Sequence, residues 1–128
     1  MESWTMYDKL RQPTGRVINR GEKIKPGDYH LVIHVCIFNS KGELLIQQRQ
    51  PFKQGWSGMW DITVGGSAVA GDSSQRAAER EVMEEIGYKL SLEGALPHIT
   101  INTNDVFDDI YIVHADVDIS SLSLQYEE

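Results

Sequence analysis

The sequence predicts an α+β fold, a mixed β-sheet packed against one helix. Three observations carry this. Runs of strand length rich in apolar and β-branched residues occur at 30–38, 43–49 and 60–64. One segment, 74–86, has helical spacing and helix-compatible ends. Two further strand-like runs follow it, at 99–101 and 110–115. The order β-β-β-α-β-β is that of a mixed sheet on a helix and not of a regular βαβ array.

Each element has a local reason. Residues 1–28 are polar and rich in turn formers (Pro13-Thr14-Gly15, Asn19-Arg20-Gly21, Lys25-Pro26-Gly27-Asp28), and read as an irregular lead-in with a short hairpin around Gly15–Glu22. The run from His30 to Phe38 is too short for a typical helix and reads as a buried strand. Leu31, Ile33, Val35 and Ile37 share one face, and His30, Val32, His34, Cys36 and Phe38 the other. Asn39-Ser40-Lys41-Gly42 is a turn signal, and Glu43–Arg49 is the returning strand of a hairpin. Pro51 to Gly58 is a loop, after which Trp60–Val64 runs as a short strand into Gly65-Gly66. Asp72-Ser73-Ser74 offers N-caps for the helix, and Gly87 suits its C′ position, where a left-handed conformation costs glycine least. The last two strands join across a turn at Asn104-Asp105.

The chain has 128 residues, the size of a single domain, with 41% hydrophobic and 24% charged residues. Twelve Lys and Arg against nineteen Asp and Glu leave a net charge of −7. That balance argues against a non-specific nucleic-acid binder, which carries a basic footprint. It leaves a nucleotide substrate open, because a metal ion can supply positive charge. No apolar stretch approaches the roughly 20 residues that span a bilayer, and no secretory signal is visible at the N-terminus. A single cysteine, Cys36, excludes an intrachain disulfide and fits a reducing, cytoplasmic setting.

The chemistry concentrates on the helix. Glu81, Glu84 and Glu85 stand at i, i+3 and i+4, where like charges repel, and in the last turns, where the helix dipole favours cations. A solvated acidic face is the plain explanation. A hard divalent cation is the alternative, since three carboxylates beside a Gly-Gly turn with approachable carbonyls suit Mg²⁺. The wider spacing favours the cation. From Gly66 to Tyr88 the chain reads G-x5-D-x7-R-E-V-x-E-E-x-G-Y. This resembles the Nudix box, G-x5-E-x7-R-E-U-x-E-E-x-G-U with U apolar. Gly66, Arg80, Glu81, Glu84, Glu85 and Gly87 match its fixed positions, at a chance on the order of one in ten million per window. Asp72 stands where the pattern has Glu, one methylene shorter, and is expected to reach Arg80 less well or only with a local shift.

The resemblance to Nudix (MutT-like) hydrolases implies a Nudix fold over residues 1–128, an α/β/α sandwich with its box at 65–88. It also implies hydrolysis of a diphosphate linkage in a small-molecule nucleoside diphosphate derivative. Carried over, Glu81, Glu84 and Glu85 bind Mg²⁺ or Mn²⁺, with a backbone carbonyl of Gly65 or Gly66. Arg80 orients Glu81, Asp72 supports Arg80, and one glutamate, with Glu84 as candidate, serves as general base. Asp105, Asp108 and Asp109 are alternative bases, though a solvated acidic turn is the better reading of them.

Outside the box, Gly27-Asp28-Tyr29-His30, Lys41-Gly42-Glu43-Leu44-Leu45, Gln48-Arg49, Lys53 and Trp56-x-Gly58-x-Trp60-Asp61 look like the branch related to isopentenyl-diphosphate isomerase. That enzyme needs a Cys and a metal-binding His in a pattern like T-N-S-V-C-G-H. Here the stretch is Asp61-Ile62-Thr63-Val64-Gly65-Gly66-Ser67, with Gly65 and Ser67 at those two places. Glycine cannot transfer a proton, so the isomerase reaction is set aside and the scaffold kept. A non-catalytic nucleotide-binding module is the remaining alternative.

Other residues divide between site and framework. Arg49 and Lys53 are candidates to neutralise substrate phosphates, against ordinary surface charge. Trp60 and Trp56 either stack on a base or anchor a loop. His30 is a candidate substrate contact. His30 and His34, ~13 Å apart by strand rise, are too distant to share a metal, and both read as structural or pocket-lining. Related chains continue past Gln125-Tyr126-Glu127-Glu128 with a strand and a long helix. If that helix is lacking, an apolar sheet face is expected to be exposed and covered in a homodimer.

Overall fold

The computed structural model describes residues 2–53 and 55–126. Its centre is a four-stranded mixed sheet in the order β6-β3-β8-β7, made of β3 (His30–Phe38), β6 (Val64–Ser67), β7 (Ile99–Asn102) and β8 (Val106–His114). β3 lies parallel to β8 over its full length, from His30↔Val106 to Phe38↔His114. It lies antiparallel to β6, which is an edge strand, with Ile33↔Gly66 and His34↔Gly65 in register. β7 pairs antiparallel with β8 across the turn at Asn104-Asp105.

The single α-helix, α1, spans Ser74–Ile86, the predicted extent. Ser73 caps it, its side chain accepting from the Arg76 N–H, and Gly87 ends it at φ 69° with its own N–H bonded to Met83 O. Ala77, Ala78, Val82 and Ile86 bury one stripe of α1 against Leu31, Ile33, Val35 and Ile37 of β3, with Val64, Phe107 and Tyr111 completing the core. The alternation read along β3 therefore holds: the odd-numbered residues face α1, and the His30–Phe38 set faces away.

Three expectations need correction. The N-terminal segment is a built hairpin: β1 (Ser3–Tyr7) pairs antiparallel with β2 (Pro13–Asn19). Its turn lies at 8–12 and not at Gly15–Glu22. It clasps the start of β3 through the Tyr7↔Tyr29 bridge, with Trp4 stacked on His30 at 4.2 Å on one face. On the other, Arg11 lies over Phe107 and pairs with Asp109. The second correction concerns Glu43–Arg49, which keeps only β4 (Gln47–Gln48) as strand, paired with β5 (Trp60–Asp61). Leu44 returns to β3 only through a bridge to Phe38. Third, Trp60–Val64 is divided. Ile62 and Thr63 separate β5 from β6, and the Thr63 hydroxyl joins Leu45 O and the Ile37 N–H, a side-chain splice where the backbone ladder stops.

After β8, residues 115–126 carry a 3₁₀ turn at Ile119–Ser121 and fold back on α1, the Gln125 N–H bonding Glu85 O. An apolar groove of about 400 Å³ opens between Leu45, Ile46, Trp60, Ile86, Leu122 and Leu124. Among the described residues, no helix is long and apolar enough to cross a membrane.

Candidate functional site

A polar cleft of about 380 Å³ forms around the free edge of β6. Gly65, Gly66 and Ser67 make its floor, α1 brings Glu81 and Glu84, β3 brings His34, and Arg49 and Lys53 enter from the segment after β4. The hairpin supplies Arg20 and Glu2 at the rim.

The two glycines explain how side chains from both sides of the sheet reach one cleft. Successive strand residues point to opposite faces. A Cβ on Gly66 would stand 2.6–2.9 Å from the Glu81 carboxylate, and one on Gly65 would stand 2.5 Å from the His34 ring. Each glycine yields its space to a polar side chain, one on each face. Because β6 is an edge strand, no further strand separates the two.

Arg80 organises the acids. Its Nη2 donates to Asp72 Oδ2 at 3.0 Å, and its Nη1 to Glu81 Oε1 at 3.1 Å and Glu84 Oε2 at 3.2 Å. Asp72 thus reaches Arg80 in spite of its shorter side chain, the second of the two expectations. It also accepts from the Val69 N–H, which draws the preceding turn toward the helix.

The glutamates differ in environment. Glu84 is exposed, Glu81 has 13% of its side chain accessible, and Glu85 is buried at 2%. A solvated acidic face therefore describes only Glu84. Glu85 lies behind the cleft wall and accepts from Gln47 Nε2 at 2.9 Å. Burial raises the pKa of Glu81 and the neighbouring Glu84 charge raises it further, against the lowering effect of its hydrogen bonding with Glu85 and Arg80 and of the Arg80 charge. A buried carboxylate next to like charge in a cleft is a mark of functional sites.

The donor set suits a hard divalent ion, being carboxylate oxygens beside a glycine backbone, with Glu81 where a side chain at position 66 would collide. As the side chains stand, however, no three acidic, His or Cys residues among the described ones are gathered closely enough to hold an ion. Arg80 occupies the space between Glu81 and Glu84.

The other candidates fall as follows. Trp60 is 62% exposed and lines the apolar groove, outside the cleft. Trp56 is also exposed, at φ 55°, and is neither core nor anchor. His30 is buried under Trp4 and not on the cleft wall; burial, helped by Arg20, lowers its pKa against the pull of Asp105. Asp109, proposed as a base, is fully buried on the α1 side, where it accepts from Arg11, Ser74 and Thr100. Asp105 is exposed beyond the start of β8. Asp108 bonds His34 on the cleft side. Arg20 and Asp61 were missed, while His34 lines the cleft, one of the two readings given to it. Arg20 and Asp61 carry no local signal. The His34–Asp108 pair is foreshadowed by the alternation of each strand, but only their parallel pairing joins them.

Comparison with known proteins accords with this geometry. A NUDIX domain model matches residues 28–122. An uncharacterised Nudix hydrolase of Listeria monocytogenes is 49% identical over 128 residues, which is all of this chain and 76% of that protein. An isopentenyl-diphosphate Delta-isomerase of Pectobacterium atrosepticum is 33% identical over 109 residues, covering 85% of this chain and 59% of its own length. The crystal structure of DR0079 from Deinococcus radiodurans matches with a TM-score of 0.77 at 21% identity, over 98% of this chain and 78% of that one, a likeness of fold.

Proposed function

The chain belongs to the NUDIX family, and from that premise we propose that it hydrolyses a diphosphate linkage in a nucleoside diphosphate derivative with the help of Mg²⁺ or Mn²⁺. The observation that carries this is the opposition of charges across one cleft, with Arg49, Lys53 and Arg20 against Glu81 and Glu84. The cations bind phosphate oxygens. Glu81, Glu84 and Glu85, with a carbonyl of Gly65 or Gly66, would hold the divalent ion once the side chains drew together around it. A bound divalent ion polarises a phosphoryl oxygen and lowers the pKa of an attacking water. Arg80 would keep Glu81 oriented, while Glu84, exposed on the cleft wall, would exchange its bond to Arg80 for the ion. Glu84 is the best placed of the glutamates to take a proton, being the one still open to solvent.

The scaffold's isomerase relatives do not transfer their reaction to this chain, because Gly65 has no side chain to exchange a proton. The test is a product assay over nucleoside di- and triphosphates, nucleotide sugars, dinucleoside polyphosphates and isopentenyl diphosphate, with and without Mg²⁺ and Mn²⁺. Metal-dependent release of a nucleoside monophosphate or phosphate product is expected. No metal-dependent cleavage across the panel, with nucleotide still bound, would leave a binding module in place of the hydrolase.

A further inference from the structure

His34 is among the polar side chains of the cleft that phosphate and metal binding do not use, and it is the one held by a carboxylate behind it. His34 sits midway along β3, and its Nδ1 lies 2.7 Å from Asp108 Oδ1. A carboxylate oxygen only accepts, so the proton of this bond belongs to Nδ1. A ring carrying that one proton presents a lone pair at Nε2, since the bond made by one nitrogen sets the state of the other. Asp108 reaches the ring because β3 and β8 are parallel neighbours with Val32↔Asp108 and His34↔Ile110 in register, which puts Asp108 and His34 on the same face.

Gly65 makes room for the ring. A Cβ at that position would lie 2.5 Å from His34 Cδ2 and 2.8 Å from Nε2, closer than carbon atoms approach. The imidazole therefore fills the volume a side chain at position 65 would need. In the isomerase-like pattern that position carries the reactive cysteine, so a hydrogen-bond acceptor stands here where the isomerases place a thiol.

The remaining lining is polar as well. Among the described lining residues, Val32 offers the one apolar side chain. A hydrocarbon group would gain little burial there and would strip water from charged groups without replacing it. A hydroxylated group finds partners.

We propose that His34 is a substrate-contacting residue whose Nε2 accepts a hydrogen bond from a hydroxyl of the group joined to the diphosphate, with Asp108 as its positioning residue. This rests on the diphosphate-hydrolase reading and narrows it to sugar-like, hydroxylated substrates. A polar site built to bond a hydroxyl rejects the analogue that lacks it, because its own group is left unpaired.

The test compares kcat/KM for a nucleoside diphosphate sugar and for analogues lacking one sugar hydroxyl at a time. The wild type is expected to prefer the full sugar over one deoxy analogue by about tenfold or more. His34→Phe and Asp108→Leu are expected to abolish that preference, mainly through KM, and His34→Gln, which keeps an acceptor, to retain part of it. An unchanged preference in His34→Phe, or equal losses on both substrates, would overturn the proposal. The tautomer is read separately by ¹⁵N NMR of the free protein: a proton on Nδ1 is expected, and one on Nε2 overturns the assignment whatever the activity. A wild type that cleaves no diphosphate refutes the hydrolase reading instead. The Nε2 resonance then decides alone: a shift with the sugar nucleotide and none with the deoxy analogue supports the contact, and no shift with either removes it.

Discussion

Asp109 and Glu81 are both carboxylates withdrawn from water beside an arginine, and the fold treats them in opposite ways. Burial alone would raise the pKa of Asp109, but hydrogen bonds from Arg11, Ser74 and Thr100 outweigh it and hold the carboxyl below its ordinary value of 3.8. Glu81 has Arg80 and Glu85 as partners, yet burial and the Glu84 charge leave its pKa raised. Asp109 is an anion whose acceptors are filled, and it joins the hairpin, α1 and β7 to the sheet. Glu81 is an anion kept short of compensation at the wall of a cleft. A satisfied buried charge reads as framework, and a burdened one reads as a place prepared for an additional cation.

The contrast can be broken by substitution. The largest effect is expected from Glu81→Gln, which should lower turnover by about 10²–10³-fold, the scale of losing one transition-state-stabilising group. It should leave the melting temperature level or higher, because a charge that burial disfavours is removed. A large loss of stability with little loss of turnover would reverse the two roles. Gly66→Ala is expected to act through Glu81 without altering it. The new Cβ would displace the carboxylate by an ångström or so, an error that can cost about 10²-fold in rate. A Gly66→Ala protein with normal steady-state kinetics would show that Glu81 does not need its position.

Asp109→Asn should do the reverse. Leaving part of a buried network unpaired costs about 1–3 kcal/mol, measurable by urea unfolding, with cleavage retained. The pH dependence has a definite sign. The folded-state pKa of Asp109 is depressed, so its contribution is present above the unfolded value near 3.8 and is lost as pH falls through the folded value. The stability gap between wild type and Asp109→Asn should therefore close in acid. A gap independent of pH would mean that packing and not charge is lost. The smallest effect belongs to Asp72→Glu. Asp72 already reaches Arg80 at 3.0 Å, so restoring the longer acid should change stability by about 0.5 kcal/mol or less, and turnover less than severalfold.

Much of this was legible in the sequence where the determinants are local. The bounds of α1 follow from Ser73 and Gly87, whose capping acts within one turn. The two faces of β3 follow from alternation. Glu81, Glu84 and the glycine pair, which line the cleft, and Arg80, which bonds both glutamates, lie within one stretch of spacing, so their nearness could be anticipated. What was not legible depends on partners distant in the chain. The β1–β2 hairpin buries Met6 alone among its residues, too weak a pattern to see, and gains its place from Tyr29, His30 and Asp109. Adjacent Asp108 and Asp109 look alike in sequence, and only the pleat of β8 sends one to His34 and the other to Arg11. Trp60 reads as a site or core residue by its chemistry, yet the short β4–β5 pairing leaves it outward.

The parallel pairing of β3 with β8 also carries a cost in time. His30 meets Val106, and Phe38 meets His114. The central contact of the sheet thus closes only after β6, α1 and β7 have been added between its partners. Long closures of this kind slow folding. On the ribosome β3 waits, an apolar strand with one edge unpaired, until β8 has emerged, and such edges invite pairing with other chains. The hairpin clasping the start of β3, and β6 alongside it, are made earlier in synthesis and can shield part of that strand. Weakening the clasp at Tyr7–Tyr29 should therefore lower the yield of folded protein during expression more than it lowers the stability of the finished molecule.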